Sequence, residues 1–332
     1  MNQFHDEATL ELAEHVPYLV TGALGGLGSA VLDRLLTAAK PIRVLVRRLP
    51  DTPLPGVEYV RGDLGDSAAV DRAVKGADCV IHAGATMRGS WSDHQSGTIQ
   101  GTQNVIDACK KHDVKKFVHV SSLSVIEWAG ALDFSPVDEN AALESRAEER
   151  GHYTQAKLEA ERLVATAAAA GLPTIIIRPG QIFGGRIPLM TAAIARRVAG
   201  RLLILGDGEL PLPLVYLDDV VDALILAAKS NVHRGEVIQI VDTASWTQNQ
   251  VLTEIYGASA RIIRVPRAVV FAMGRASELA LKLLGKKSPL SSYRLRSALA
   301  LRRFESVNAD RLLGWRPAVG VREGIRRVIQ SS

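Results

Sequence analysis

Pro17-Tyr18-Leu19-Val20-Thr21-Gly22-Ala23-Leu24-Gly25-Gly26-Leu27-Gly28 is the stretch that decides the fold. A short apolar run passes directly into a Gly-x-x-Gly-x-x-Gly turn, and Gly26–Ala39 then has helical periodicity. Glycines let a chain turn sharply between strand and helix and bring its backbone close to a bound group. The helix N-terminus beyond such a turn offers N–H groups and a positive dipole end to an anion, here the pyrophosphate of a dinucleotide. Thr21, Gly22, Gly25, Gly26, Leu27 and Gly28 are therefore candidate cofactor-binding residues. The spacing differs from the Gly-x-Gly-x-x-Gly of ordinary dehydrogenases, so the strand–turn–helix context carries the inference.

Working outward, apolar β-branched runs alternate with helical stretches. Pro17–Thr21, Ile42–Val46, Val57–Val60, Cys79–His82, Phe117–Val120, Thr174–Ile177 and Val237–Val241 read as strands. Gly26–Ala39, Ser67–Val74, Thr98–Lys111 and His152–Ala170 read as helices between them. The alternation predicts an α/β fold, a doubly wound parallel sheet with right-handed crossovers and helices on both faces. After Pro179 the pattern becomes irregular. A helix is expected at about Leu189–Ala199, then a Gly/Pro-rich loop over Gly206–Pro213, then a helix over Asp218–Lys229. These readings divide the chain into an N-terminal extension (1–16), a dinucleotide-binding part (17–180 with 214–243) and a smaller discontinuous substrate-binding region (181–213 with 244–332).

The second strand ends at Arg47-Arg48, where an NAD site usually carries a carboxylate for the ribose hydroxyls. An arginine there suits a 2′-phosphate, so NADP is the expected cofactor, with NAD as the alternative. Asp63-Leu64, after the third strand, falls where an adenine amino group would lie.

Composition sets the outer limits. The 332 residues are 47% hydrophobic and 23% charged, an ordinary globular balance. Cys79 and Cys109 sit in apolar stretches with no ligand spacing, which suggests buried thiols in a reducing, cytoplasmic setting. No metal site is expected. The net charge of +5 conceals an uneven distribution: residues 261–332 hold 16 Lys and Arg against 4 Asp and Glu. Those arginines are scattered among apolar residues and aromatics are few, so a solvated basic face is expected and nucleic-acid binding is not. The apolar stretch 266–287 is interrupted by Arg267, Arg275, Glu278 and Lys282. It is read as a helix packed on the substrate region, with attachment to a membrane surface as the sharper alternative. Trp91 and Trp128 fall in loops after strands four and five, as lining of an apolar pocket or as local core.

Tyr153 and Lys157 are four apart on a predicted helix and so share a face. An ammonium beside a phenol favours the phenolate, which is what a proton-transferring tyrosine needs near neutral pH. Upstream, Val120-Ser121-Ser122 ends a strand in hydroxyls on the ligand side of the sheet.

In this order the motifs resemble those of the extended short-chain dehydrogenases/reductases, the NAD-dependent epimerase/dehydratase superfamily. The similarity covers nearly the whole chain. It runs through Thr21–Gly28, Asp63-Leu64, His82-Ala83-Gly84-Ala85, Ser122, Tyr153 to Lys157, Arg178-Pro179-Gly180 and Tyr216-Leu217-Asp218-Asp219-Val220. The resemblance implies a Rossmann-type fold and Ser122, Tyr153 and Lys157 as catalytic residues, with Ser121 and Ser124 as alternatives to Ser122. Tyr153 would exchange a proton with the substrate oxygen, Ser122 would bond that oxygen, and Lys157 would hold the nicotinamide ribose. Ala83, Gly84, Ala85, Pro179 and Gly180 join the implied cofactor contacts. A homodimer formed through helices beside the sheet is also implied.

Two departures bear on function. Where many members carry Asn-x-x-Gly-Thr, this chain has Thr98-Ile99-Gln100-Gly101-Thr102, which puts the asparagine's role in a proton relay or helix distortion in doubt. Where sugar-nucleotide enzymes of the family place an arginine on the diphosphate, this chain has Leu212. Leucine makes no bidentate phosphate clamp. The C-terminal Leu313-Gly314-Trp315-Arg316-Pro317 is similar to the 3β-hydroxysteroid dehydrogenase-like and dihydroflavonol reductase-like branches. The expectation is hydride transfer between a secondary alcohol and a ketone on a small, apolar or unphosphorylated substrate. The alternatives are a sugar-nucleotide epimerase, dehydratase or reductase, and a non-catalytic cofactor-binding sensor.

Overall fold

The computed structural model describes residues 16–37, 42–129, 134, 136–257, 261–285, 288 and 290–331. The N-terminal extension expected over 1–16 lies outside them except for Val16, which opens the first strand.

Seven parallel strands make the central sheet: β1 Val16–Thr21, β2 Ile42–Val46, β3 Val57–Arg61, β4 Ala77–His82, β5 Lys116–Val120, β6 Thr174–Pro179 and β7 Arg234–Ile240. Their spatial order is β3-β2-β1-β4-β5-β6-β7. This is the doubly wound arrangement that the sequence predicts, and the order reverses between β1 and β4. Alternation within the strands explains why both faces must be covered. Val20, Ile81, Val118 and Ile175 point into one core, beneath α1 (Gly26–Leu36) and α5 (Leu217–Lys229). Their neighbours Leu19, Val80, Phe117 and Ile176 point into the other. That second core lies beneath α2 (Ser67–Val74), α3 (Gly101–Lys111) and α4 (His152–Ala169).

Residue choice sets several element ends. Asp66 caps α2 by accepting from the N–H groups of Ala68 and Ala69. Gly171, with φ +97, turns the chain after the alanine-rich end of α4. The segment before α3 winds as a π-helix over Gln95–Gln100, where the sequence predicts the start of an α-helix. The distortion is thus present although threonine stands in place of the asparagine. Thr98 is buried, and its hydroxyl accepts the Thr86 N–H at 2.9 Å.

One expected element is absent. Leu189–Ala199 is not a helix: turns lead into Arg196–Val198, which pairs antiparallel with Arg201–Leu205. Ala199 and Gly200 both have positive φ, +46 and +73, the two-residue geometry of a tight hairpin. The alternation of Leu202 and Ile204 into a third core prevails over the helix propensity of the alanines. Pro211–Leu212, expected as loop, is a short strand paired with Trp246–Thr247.

After α5 come α6 (Gln248–Tyr256), α7 (Arg267–Leu283), α8 (Ser292–Ala298), α9 (Val307–Leu313) and α10 (Gly320–Gln330). The Asp-Asp segment at the start of α5 anchors this end of the chain. Asp219 is buried and accepts from the N–H groups of Ala318, Val319 and Gly320 at 2.8, 2.8 and 2.9 Å, and its own carbonyl accepts the Trp315 indole N–H. Its carboxylate therefore satisfies the N-terminal N–H groups leading into α10.

Candidate functional site

The glycine turn lies where the strand order reverses. Gly22 has φ +71, and a Cβ on it would come within 2.7 Å of the Gly84 backbone. A Cβ on Gly28 would come within 2.1 Å of the Gly22 carbonyl oxygen. Neither position tolerates a side chain, so the turn is pressed against the segment Ala83-Gly84-Ala85 that follows β4. Thr21 ties the two strand ends together: its hydroxyl bonds His82 Nδ1 at 2.7 Å and accepts the Gly84 N–H at 3.2 Å. No side chain caps the first turn of α1, where Gly26 and half-buried Leu27 stand. Its N–H groups therefore suit an anion, and the bare cradle fits a pyrophosphate.

Arg47 and Arg48, just past β2, are exposed, and neither forms an ion pair with a described residue. Asp63, past β3, is exposed and accepts the Gly65 N–H at 2.9 Å. Leu64 packs against the Gly84 position, and its carbonyl accepts from the Asn104 amide at 2.8 Å.

Ser122, Tyr153 and Lys157 meet beyond the carboxyl end of β5. Ser122 caps a short 3-10 turn, Leu123–Val125, by accepting the Ser124 N–H at 3.1 Å. The Tyr153 phenol lies beside Ser122, whose hydroxyl acts to lower its pKa. Ser121 and Ser124 have buried hydroxyls without hydrogen-bond partners among the described residues. Lys157 is buried at the foot of the pair and donates to the Val120 carbonyl. The expected direct depression of the phenol does not appear: burial pushes the Tyr153 pKa up, and neighbouring Ser122 opposes this only in part.

Burial lowers the Lys157 pKa to about 8, with Glu161 acting against that shift. The unfolded chain therefore binds this proton more tightly than the folded one. The resulting cost is fully present below about pH 8 and is relieved as pH rises toward the ordinary lysine value of 10.5. Lys157→Met is accordingly expected to raise stability at neutral pH, by at most roughly 3 kcal/mol. In thermal melts its advantage over the native chain should shrink above about pH 8. A pH-independent difference would place the cost elsewhere.

Sequence reasoning named Arg178 only within a motif and missed Glu161, Arg150 and Glu144, which help to hold these groups. Arg178 grips Glu161 on α4 with three bonds of 2.6 to 3.2 Å, both side chains being 4% exposed. Glu161 lies one turn beyond Lys157 on the same helical face, and this spacing was the available signal. Arg150 donates to the carbonyls of Ser124 and Ile126 at 3.0 and 3.1 Å and to buried Glu144 at 3.3 Å. Glu144 in turn accepts from the Tyr293 hydroxyl on α8. Arg150, two residues before α4, thus joins the serine loop to Glu144 and, through Glu144, to the C-terminal region.

Pro179 and Gly180 close β6. A Cβ on Gly180 would come within 2.1 Å of the Pro213 carbonyl, so the neighbouring chain itself requires glycine there. Trp128 packs as local core, its ring 4.9 Å from that of Phe304 and its N–H on the Leu123 carbonyl. Trp91 opens a one-turn helix, Trp91–His94, and its ring lies 5.8 Å from that of His152. Leu212 is buried in the third core.

The family model described as "NAD dependent epimerase/dehydratase family" matches residues 18–240. The chain belongs to this family. Its fold, its motif order and its place among NAD-dependent dehydrogenases, reductases and epimerases make it an enzyme of the extended short-chain dehydrogenase/reductase type. It is similar to 3beta-hydroxysteroid-dehydrogenase/decarboxylase isoform 1 of Arabidopsis thaliana, with 32% identity over 83% of this chain and 66% of the plant protein. The chain thus spans just under two thirds of that relative. It is also similar to 2-alkyl-3-oxoalkanoate reductase of Shewanella oneidensis, with 30% identity over 93% of this chain and 84% of the reductase. In fold it matches UDP-glucuronic acid 4-epimerase from Bacillus cereus in complex with NAD, at a TM-score of 0.70 and 21% identity over 95% of this chain and 99% of the epimerase.

Proposed function

We propose that this family member is an NADP(H)-preferring oxidoreductase that interconverts a secondary alcohol and a ketone on an apolar, unphosphorylated substrate. The observation that carries the proposal is that Ser122, Tyr153 and buried Lys157 lie together past the carboxyl end of β5, on the side of the parallel sheet that also carries the glycine turn. The nicotinamide would supply or accept the hydride when bound. Tyr153 and Ser122 present two hydroxyls to one substrate oxygen; the tyrosine exchanges the proton and the serine holds the oxygen in place. Lys157 keeps an ammonium beneath them for the ribose. The glycine turn and Ala83–Ala85 hold the pyrophosphate side, Asp63-Leu64 the adenine, and Pro179-Gly180 the nicotinamide side. Residues 17–180 with 214–243 serve as the cofactor-binding part, and 181–213 with 244–332 as the substrate-binding region. The buried free thiols Cys79 and Cys109 support a reducing, cytoplasmic setting.

Exposed Arg47 and Arg48, neither ion-paired with a described residue, support the 2′-phosphate preference. Buried Leu212 supports a substrate without a diphosphate. The names of both curated relatives, which denote a hydroxysteroid dehydrogenase and an oxoalkanoate reductase, favour the same chemistry. The fold likeness to an epimerase keeps sugar nucleotides as the second reading.

The test pairs two measurements. NADPH oxidation is followed with a 3-ketosteroid and with a 2-alkyl-3-oxoalkanoate, and thermal shift is recorded with UDP-sugars. Turnover with a ketone and no shift with UDP-sugars is the expected result; clear stabilisation by a UDP-sugar would replace the proposal with the second reading. Replacing Arg47 and Arg48 together by alanine should weaken NADPH binding by about tenfold to a hundredfold and leave NADH binding nearly unchanged, the loss of a single charge-assisted contact of about 1.5–3 kcal/mol. Equal losses for both cofactors would remove these arginines from 2′-phosphate recognition.

A further inference from the structure

The expected packing of 266–287 on the substrate region holds for only one edge of α7. Of its residues, Val270 and Gly274 are buried, facing Leu295 and Leu299 of α8 and its end. On the other side, Leu279, Leu283 and Leu284 are 65%, 82% and 68% exposed, and Val269 and Met273 are about half exposed. At 3.6 residues per turn these five, with exposed Ala272, Ala276 and Ala280 between them, fill one continuous arc of roughly 140° that contains no polar residue. Isolated exposed leucines are ordinary, but an uninterrupted helical face is not.

The charges beside this arc have one sign. Exposed Arg275 and Lys282 lie along one edge, and Lys286-Lys287 follow in the sequence. Glu278 lies on the opposite side of the helix, where its carboxylate accepts from the N–H and hydroxyl of Ser292 at 2.7 and 2.6 Å. The arc and its basic edge therefore present no carboxylate. A second copy docked by two-fold symmetry would bring the same basic edge and no acidic counterpart. An anionic lipid surface complements both the apolar arc and its edge. No helix among the described residues is long and apolar enough to cross a membrane, so the contact would lie in the plane of the interface.

We infer that α7 docks the enzyme on an anionic membrane surface, with Val269, Met273, Leu279, Leu283 and Leu284 in the acyl boundary and Arg275 and Lys282 on the headgroups. The helix packs on α8, whose Tyr293 bonds Glu144 beside the tyrosine helix, so a docked bilayer is coupled to the site through two packed layers. This inference is independent of the substrate assignment.

The test is co-sedimentation of the full chain with phosphatidylcholine vesicles, with and without phosphatidylglycerol. Binding to the anionic vesicles that weakens with added salt is expected, with little binding to the neutral ones. Arg275→Gln with Lys282→Gln should weaken it about thirtyfold, two basic residues at about 1 kcal/mol each. Leu279→Asp with Leu283→Asp should abolish it while the melting temperature and turnover in solution stay unchanged, which separates docking from folding. Absence of native binding, equal binding to both vesicle types, or full binding by the aspartate variant would overturn the inference. So would a concentration-dependent dimer in light scattering that the aspartate variant dissociates, because a second copy would then cover this face.

Discussion

Tyr153→Phe is expected to lower turnover by about 10²–10⁴-fold, the usual contribution of a positioned proton donor or acceptor, with cofactor affinity and stability nearly unchanged. The substitution removes one oxygen. Ser122 keeps its role in accepting the Ser124 N–H. Lys157 stays bonded to the Val120 carbonyl, so the floor beneath the ring is intact. Burial holds the native phenol above its ordinary pKa, so the group that the substitution removes is a hydroxyl able to donate to a ketone oxygen. Steady-state rates with the best ketone, cofactor titration by fluorescence and a thermal melt make up the measurement. Unchanged turnover would exclude Tyr153 from the chemistry. Cofactor binding without turnover in the native chain would favour a sensor instead.

The second large effect is structural. Arg178→Met should destabilise the chain by about 3–5 kcal/mol, the penalty of leaving a buried charge without its partner. Glu161 is buried and takes bonds from two nitrogens of that guanidinium. Without them its carboxylate has no comparable neighbour on β6 and would be driven toward protonation. Restoring neutrality with Glu161→Leu in the same chain should recover most of the loss, since apolar replacements of a buried pair are often neutral or stabilising. Urea titration of the single and double variants reads both values. A single variant within about 1 kcal/mol of native, the range of surface pairs, would show that the pair adds little to stability. The double variant also tests function: a folded protein with reduced turnover would mean that the pair sets where α4 holds Tyr153 and Lys157.

Much of this was legible in the chain. Seven β-branched runs alternating with helices led to the parallel sheet, because a strand buried on both faces must be apolar at every position. The glycines at 22, 25 and 28 were legible because close backbone approach excludes a Cβ, and at 22 and 28 the structure shows the backbone atoms that would collide. Leu189–Ala199 was misread because alanines carry strong helix propensity, while the positive φ of Ala199 and Gly200 depends on Leu202 and Ile204 reaching a core built by residues far away in sequence. Arg150, Glu144 and Tyr293 were invisible for a related reason: 149 positions separate Glu144 from Tyr293, and no local pattern announces their contact.

Residue type and spacing along the chain therefore determined the sheet, the glycine turn and the candidate Ser122, Tyr153 and Lys157, all of which rest on short-range geometry. Only the tertiary structure decided what surrounds them. It showed that burial raises the tyrosine pKa and lowers that of the lysine, that Arg178 holds the helix carrying both while Arg150 holds the serine loop, and that the apolar arc of α7 faces outward. Burial and long-range pairing belong to the assembled chain, since each depends on which distant residues displace the water.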